Sequence, residues 1–270
     1  GFEKSSAAEL AGSIRDSAKL AQAYASATTA KIAVVTGASR GIGKAIAIEL
    51  AGKDTNIVIN CVNNVDKLNE VKKVIEEKGS VCETFIGDMG NYSDVQKMFD
   101  MCLQRFDHVD MLINNAGISV VGLFQDMGED EWHRICNTNI DSVFNCCHFA
   151  VKDMMKRHCG KIINISSVWG LYGASCEVAY SATKGAVNSF TRALAKELAP
   201  SGIQVNAVAC GAIDTEMNSH LSDDDKAELA EEIPAGRFGS PQEVAELVKS
   251  LSGMNSYLTG QIITLDGGWI

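Results

Sequence analysis

The chain alternates between short apolar runs and longer stretches in which apolar residues recur at helical spacing. Lys31–Thr36 (KIAVVT) is a β-branched run that ends in a glycine turn, and Gly43–Gly52 then carries the helical pattern. Asn56–Cys61 (NIVINC) repeats the strand pattern and Asp66–Lys78 the helical one. Further strand-like runs lie at Val81–Gly87, Val109–Asn114, Lys161–Ile165, Ile203–Val208 and Gln261–Leu265. Strands apolar at successive positions need cover on both faces, as in a parallel sheet. The seven runs, separated by helices, therefore predict an α/β fold: one doubly wound, parallel seven-stranded sheet with helices on both sides. Its ligand site belongs at the carboxyl ends of the strands. Residues 31–270 hold no linker-like stretch and read as one domain.

Residues 1–30 stand apart as an amino-terminal extension. Ser6 with Glu9 makes a possible capping box, and Leu10, Ile14, Ala18 and Ala21 fall at helical spacing. A helix packed on the domain or on a second subunit, and a poorly ordered extension, are both compatible with this pattern.

Composition narrows the function classes. Hydrophobic residues make up 46% of the 270, enough for a large core, and the formal charge of −10 disfavours nucleic acid as a partner. No apolar stretch approaches the ~18 residues of a membrane span. Glu3, Glu9 and Asp16 fit a targeting peptide poorly, so a cytoplasmic location is expected. The nine cysteines are odd in number and lack C-x-x-C spacing, which points to reduced thiols rather than disulfides or zinc. The five histidines show no ligand-like grouping, and no metal site is expected. Cys146-Cys147 reads as core packing, and Asp223-Asp224-Asp225 after Ser222 as the first turn of a helix.

The chemistry begins after the first strand, with Thr36-Gly37-Ala38-Ser39-Arg40-Gly41-Ile42-Gly43. Three glycines between an apolar strand and an amphipathic helix let backbone approach a pyrophosphate, which the unpaired N–H groups of the helix start would hold. The G-x-x-x-G-x-G spacing, Asn114-Asn115-Ala116-Gly117, Tyr180-x-x-x-Lys184 and Asp266-Gly267-Gly268 occur in one order. In these motifs residues 31–270 resemble the short-chain dehydrogenase/reductase superfamily, and the resemblance implies a Rossmann-type hydride-transfer enzyme. It assigns cofactor contacts to Gly37, Ser39, Arg40, Gly41, Ile42 and Gly43, to Asp88 and Met89 on the adenine side, and to Asn115, Ala116 and Gly117. Tyr180, Lys184, Ile213 and Thr215 complete that set on the nicotinamide side. One departure stands out: Cys210-Gly211 replaces the usual Pro-Gly, which predicts a less rigid loop over the cofactor.

Cofactor choice follows from charge. NAD-selective members place a carboxylate at the end of the second strand, against the ribose 2′-hydroxyl. Here that position is Cys61, no acid occurs before Asp66, and Arg40 is placed to pair a 2′-phosphate, so NADP(H) is expected.

Tyr180 and Lys184, four apart, share one helix face. A phenol with a pKa near ~10 must titrate roughly three pH units lower to work near neutrality, about 4 kcal/mol of preferential phenolate stabilisation. A neighbouring ammonium supplies that kind of effect. The resemblance makes Asn139, Ser167, Tyr180 and Lys184 the catalytic set. Ser167 would bond the substrate oxygen, Tyr180 protonate it, and Asn139 hold a relay water; Ser166 is the rival for Ser167.

Among branches, the wording at 36–47 (TGASRGIGKAIA) and 160–173 (GKIINISSVWGLYG) is closest to 3-oxoacyl-[acyl-carrier-protein] reductases. The paired docking arginines of that branch correspond to His158 and Ser201, with Lys156, Arg157 and Lys161 as candidate substitutes. A reductase of free small ketones, sugars or polyols is the alternative, and a non-catalytic cofactor sensor the third reading. Ala212–Glu232 is expected to be the substrate lid, and a homotetramer is implied by the resemblance.

Overall fold

The structure, a computed structural model, describes residues 30–219 and 221–270. The expected extension helix around Ser6–Ala21 and His220 lie outside the described residues. In chain order the elements are β1 (Lys31–Val35), α1 (Gly41–Leu50), β2 (Thr55–Cys61), α2 (Val65–Glu77), β3 (Cys82–Ile86), α3 (Tyr92–Phe106) and β4 (Met111–Asn114). Then come α4 (Glu129–Cys136), a π-helical turn (Asn137–Asp141), α5 (Ser142–Arg157), β5 (Gly160–Ser167), the single turn α6 (Trp169–Tyr172) and α7 (Val178–Leu198). The last part is β6 (Ile203–Cys210), α8 (Asp223–Glu232), α9 (Pro241–Gly253) and β7 (Ile262–Leu265).

The strands form one seven-stranded sheet in the order β3-β2-β1-β4-β5-β6-β7, every neighbouring pair parallel. Strand order reverses between β1 and β4, and the crevice outside their carboxyl ends is where such sheets bind ligands.

Successive residues of β1 show why these runs contain almost no polar positions. Ala33 and Val35 join one core with Ile46 of α1, Val71 of α2 and Val248 of α9. Ile32 and Val34 join the other, with Phe99 of α3, Cys146 of α5 and Val187 of α7. Period-2 side chains with helices on both faces bury each position, at roughly 25 cal/mol per Å² of apolar surface. Cys146 and Cys147 are core residues, as read, and all nine cysteines are free. Ser222 and Asp225 form the capping box of α8, so the acidic run is a helix start.

β5 and β6 run two residues further than their apolar patterns. Ser166 pairs with Ala209 and Ser167 with Cys210, because the ladder needs only backbone groups and tolerates polar side chains. Cys210 is therefore strand, not loop. Gly211 N–H donates to Leu265 O at 2.9 Å and Val168 N–H to Cys210 O at 3.0 Å, so backbone bonds tie Cys210-Gly211 to the sheet.

Candidate active site

The end of β1 is tied to the end of β4. The Thr36 hydroxyl accepts from Asn115 N–H at 3.0 Å and Ala116 N–H at 3.1 Å. The Asn115 amide in return donates to Thr36 O (2.9 Å) and Gly37 O (3.1 Å). From the other side, buried Asn60 accepts from Gly37 N–H (3.4 Å) and donates to Gly87 O (2.9 Å). Asn60 and Thr36 were missed as site residues; their signal was a polar side chain inside or closing an apolar strand.

Two glycines are required by space as well as by dihedral. Gly37 has φ +64°, and a Cβ there would stand 2.9 Å from the Ala116 backbone. At Gly43 a Cβ would stand 2.4 Å from both Gly37 O and Asn115 Nδ2. The first turn of α1 has no side-chain cap and no acidic residue, so its N–H groups and dipole face the crevice unopposed. This cradle fits the pyrophosphate of a dinucleotide. Ser39 is buried in the turn, and Ile42 packs on the core beneath it.

Along the rest of the crevice, Asp88 folds back on the β3–α3 turn, its carboxylate accepting from Gly90 N–H at 2.8 Å. The Met89 side chain is buried in the second core, which leaves only its backbone for any ligand. Ile213 is buried and bridges Gly239, while Thr215 lies against Gly41 of the glycine turn. The segment after β6 thus crosses to β1. Its Glu216 accepts from Arg40 Nη1 (2.8 Å) and Lys67 Nζ (2.9 Å), which hold its carboxyl below the usual range, Lys67 contributing most.

On the other side of the switch point, β5 delivers its two serines to opposite sides. Ser166 donates to Lys184 O of α7 at 3.4 Å, whereas the Ser167 hydroxyl accepts from Trp169 N–H at 3.2 Å and faces the Tyr180 phenol. That alternation puts Ser167, and not Ser166, on the side of Tyr180. Lys184 is buried, donates to Ile165 O at 2.9 Å, and sits 5.6 Å over the Tyr180 ring. Burial lowers its ammonium to about 8.

Tyr180 stands beside Lys184. Burial raises its phenol well above the ordinary value, Ser167 opposes this, and the potentials of Cys210 and Glu177 add to the rise. The phenol is thus held protonated.

Asn139 occupies the π-helical turn, a distortion frequent at functional sites. Its amide accepts from Ile118 N–H (2.8 Å) and donates to Ile118 O (2.9 Å) and the Thr183 hydroxyl (3.0 Å). The side chain therefore fixes the segment after Gly117 to α7. A Cβ at Gly117 would stand 3.4 Å from both Asn139 Oδ1 and Lys184 Nζ, so these three groups meet.

The candidate docking cations lie elsewhere. Lys161 is the second residue of β5, six residues and roughly 20 Å from Ser167 at the opposite end of that strand. Its ammonium donates to Met254 O at 2.7 Å, and Arg157 is paired with Asp110 (2.9 Å) and Asp153 (3.0 Å). His108 pairs with Asp110 and His133 with Glu129, while His158 caps α5 in a left-handed conformation. No helix among the described residues is long and apolar enough to cross a membrane.

The sequence model of the family described as "short chain dehydrogenase" matches residues 31–226. A 3-oxoacyl-[acyl-carrier-protein] reductase of Staphylococcus epidermidis is 40% identical over 239 residues, covering 88% of this chain and 98% of the relative. The reductase of the same name from Salmonella typhimurium is 38% identical, covering 88% and 96%. Among solved structures, an actinorhodin polyketide ketoreductase variant with NADPH superposes with TM-score 0.85 at 31% identity, covering 90% of this chain and 98% of that one. A putative gluconate dehydrogenase from Agrobacterium tumefaciens gives 0.84 at 33%, covering 88% and 95%. Fold, glycine cradle and sequence agree: the chain belongs to the short-chain dehydrogenase family and is an oxidoreductase acting on C=O and CH–OH groups.

Proposed function

We propose that the protein is an NADPH-dependent 3-oxoacyl-[acyl-carrier-protein] reductase, converting a 3-oxoacyl thioester to the 3-hydroxyacyl thioester. The observation that carries the reductase chemistry is the meeting of Ser167, Tyr180 and Lys184 beside the cradle of Gly37 and Gly43. The thioester substrate rests on the 40% identity to a reductase of that name over nearly its whole length. The 2′-phosphate rests on Arg40 together with the absence of an acid at the end of β2.

The bound nicotinamide supplies a hydride to the carbonyl carbon. The remaining work belongs to the chain. The glycine cradle and the start of α1 hold the pyrophosphate, with Asp88, Met89 backbone, Asn115–Gly117, Ile213 and Thr215 along the groove. Ser167 donates to the substrate oxygen, which fixes it against Tyr180. The Tyr180 phenol gives its proton to that oxygen as charge develops there, so C=O becomes CH–OH. Lys184, close to Asn139 and Gly117, stabilises the phenolate left behind and holds the ribose; Asn139 anchors the relay through which the phenol regains its proton. Ala212–Glu232 closes over the substrate. A homotetramer pairing α5 and α7 across subunits, in a cytosol-like compartment that keeps the nine thiols reduced, completes the reading.

A reductase of free small ketones, sugars or polyols is the second reading. It is favoured by the commitment of Arg157 and Lys161 to internal partners, away from Ser167. Loss of reduced-nicotinamide absorbance decides between them, with acetoacetyl carrier protein, acetoacetyl-CoA and a panel of ketones and sugars, each with NADPH and NADH. The proposal expects fastest turnover with the carrier-bound thioester and NADPH. Turnover confined to free ketones or sugars selects the second reading, and no turnover on any of them despite tight NADPH binding makes the protein a sensor.

A further inference from the structure

Three charged side chains from three separate segments meet over the groove. Arg40 closes the glycine turn at the start of α1, and Lys67 stands in the first turn of α2, just past the end of β2. Glu216 opens the short turn Glu216–Asn218 that follows β6, on the far wall. Each Glu216 oxygen has its own cation: Oε2 lies 2.8 Å from Arg40 Nη1, and Oε1 2.9 Å from Lys67 Nζ. The bridge spans 176 and 149 residues of sequence and joins the β2 side of the crevice to the β6 side.

The place of the two cations gives the bridge its meaning. In doubly wound folds the end of the second strand is where the ribose 2′ substituent is read. Cys61 ends that strand here without a carboxylate; Lys67 follows it in the first turn of α2 and shares Glu216 with Arg40 of the glycine turn. Two cations converging on one point suit a dianion better than a single carboxylate, and a phosphate monoester carries about −1.5 to −2 near pH 7. All three side chains are about half exposed, 58% for Arg40, 52% for Glu216 and 46% for Lys67, so solvent screens the bridge and it exchanges readily.

We propose that Lys67 is, with Arg40, a 2′-phosphate-recognising residue, and that Glu216 is an internal competitor which holds both cations until a 2′-phosphate displaces it. The inference rests on the NADPH reading above and adds the device that sets its selectivity. A ligand with a bare 2′-hydroxyl leaves the bridge closed. A ligand with a 2′-phosphate takes over the cations and frees the segment after β6 from the glycine turn.

The test uses calorimetric titration of the full chain with adenosine 2′,5′-bisphosphate and with 5′-AMP, for wild type, Lys67→Met and Glu216→Gln. Wild type binds the bisphosphate at least about tenfold tighter than AMP. Lys67→Met cuts that ratio by about tenfold, and Glu216→Gln raises it about three- to tenfold, both with AMP affinity unchanged. Unchanged AMP binding also shows that each variant keeps its fold. A Lys67→Met ratio equal to wild type, or a Glu216→Gln ratio that stays or falls, overturns the proposal while leaving the NADPH reading intact. A wild-type chain that does not distinguish the two probes overturns the NADPH reading, and the inference with it.

Discussion

Replacing Gly43 by alanine tests the cradle, because two effects of opposite sign meet there. Gly43 lies inside α1, where alanine ordinarily stabilises a helix by about 1 kcal/mol relative to glycine. The added Cβ, however, would stand 2.4 Å from Gly37 O and from Asn115 Nδ2, more than 1 Å inside the roughly 3.5 Å at which carbon atoms begin to attract. Neither neighbour is free to yield. Gly37 is held by Asn60, and the Asn115 amide is bonded to Thr36 O and Gly37 O. Overpacking of this kind costs about 1–3 kcal/mol, more where backbone must shift, so the steric cost wins and Gly43→Ala is less stable by about 1–2 kcal/mol. Because the shift is taken up by the glycine turn, nicotinamide-dinucleotide affinity falls about tenfold or more. Thermal unfolding and quenching of protein fluorescence by NADPH read the two effects separately. A variant more stable than wild type, with unchanged affinity, would refute the claim that this glycine is there for space.

Three further outcomes follow from the site. Tyr180→Phe keeps its affinity for the dinucleotide but loses at least about 10²-fold in kcat, since the proton donor is gone; near-normal turnover in the absorbance assay would sink the mechanism. Ser167→Ala falls about 10²-fold in kcat/KM while Ser166→Ala stays within a few-fold, and a reversal of that order would give the substrate contact to Ser166. Lys184→Met tests burial. The ammonium is lowered from 10.5 to about 8, so between those values the unfolded chain binds more protons and stability rises with pH. At pH 7 the charge costs the fold on the order of 3 kcal/mol, offset in part by its bond to Ile165 O. The stability advantage of Lys184→Met over wild type therefore shrinks from pH 7 to pH 10.5 in chemical denaturation; a gap independent of pH would contradict it.

What could be seen in the sequence was whatever a local pattern enforces. The β1 run must be apolar from Ile32 to Val35 because one side of it meets α1 and α9 and the other α3 and α5, and that alone announced a parallel sheet covered twice. The glycine spacing was legible for the same reason: Gly37 and Gly43 answer to backbone geometry within one turn. Strand ends were not legible, since β5 and β6 continue by backbone pairing past their last apolar residues, and that extension places Ser167 on the side of Tyr180 and pairs it with Cys210. The burial around Tyr180 was not legible either, because spacing along a helix shows the neighbouring ammonium but not the desolvation that raises the phenol. Least legible was the bridge of Arg40, Lys67 and Glu216, whose members are ordinary surface charges until the segment after β6 crosses to β1. Arg40 alone had suggested phosphate recognition; only the fold shows that a carboxylate of the same chain engages that arginine. Selectivity at such a site is a difference between two anions competing for the same cations, so it belongs to the tertiary structure rather than to any motif.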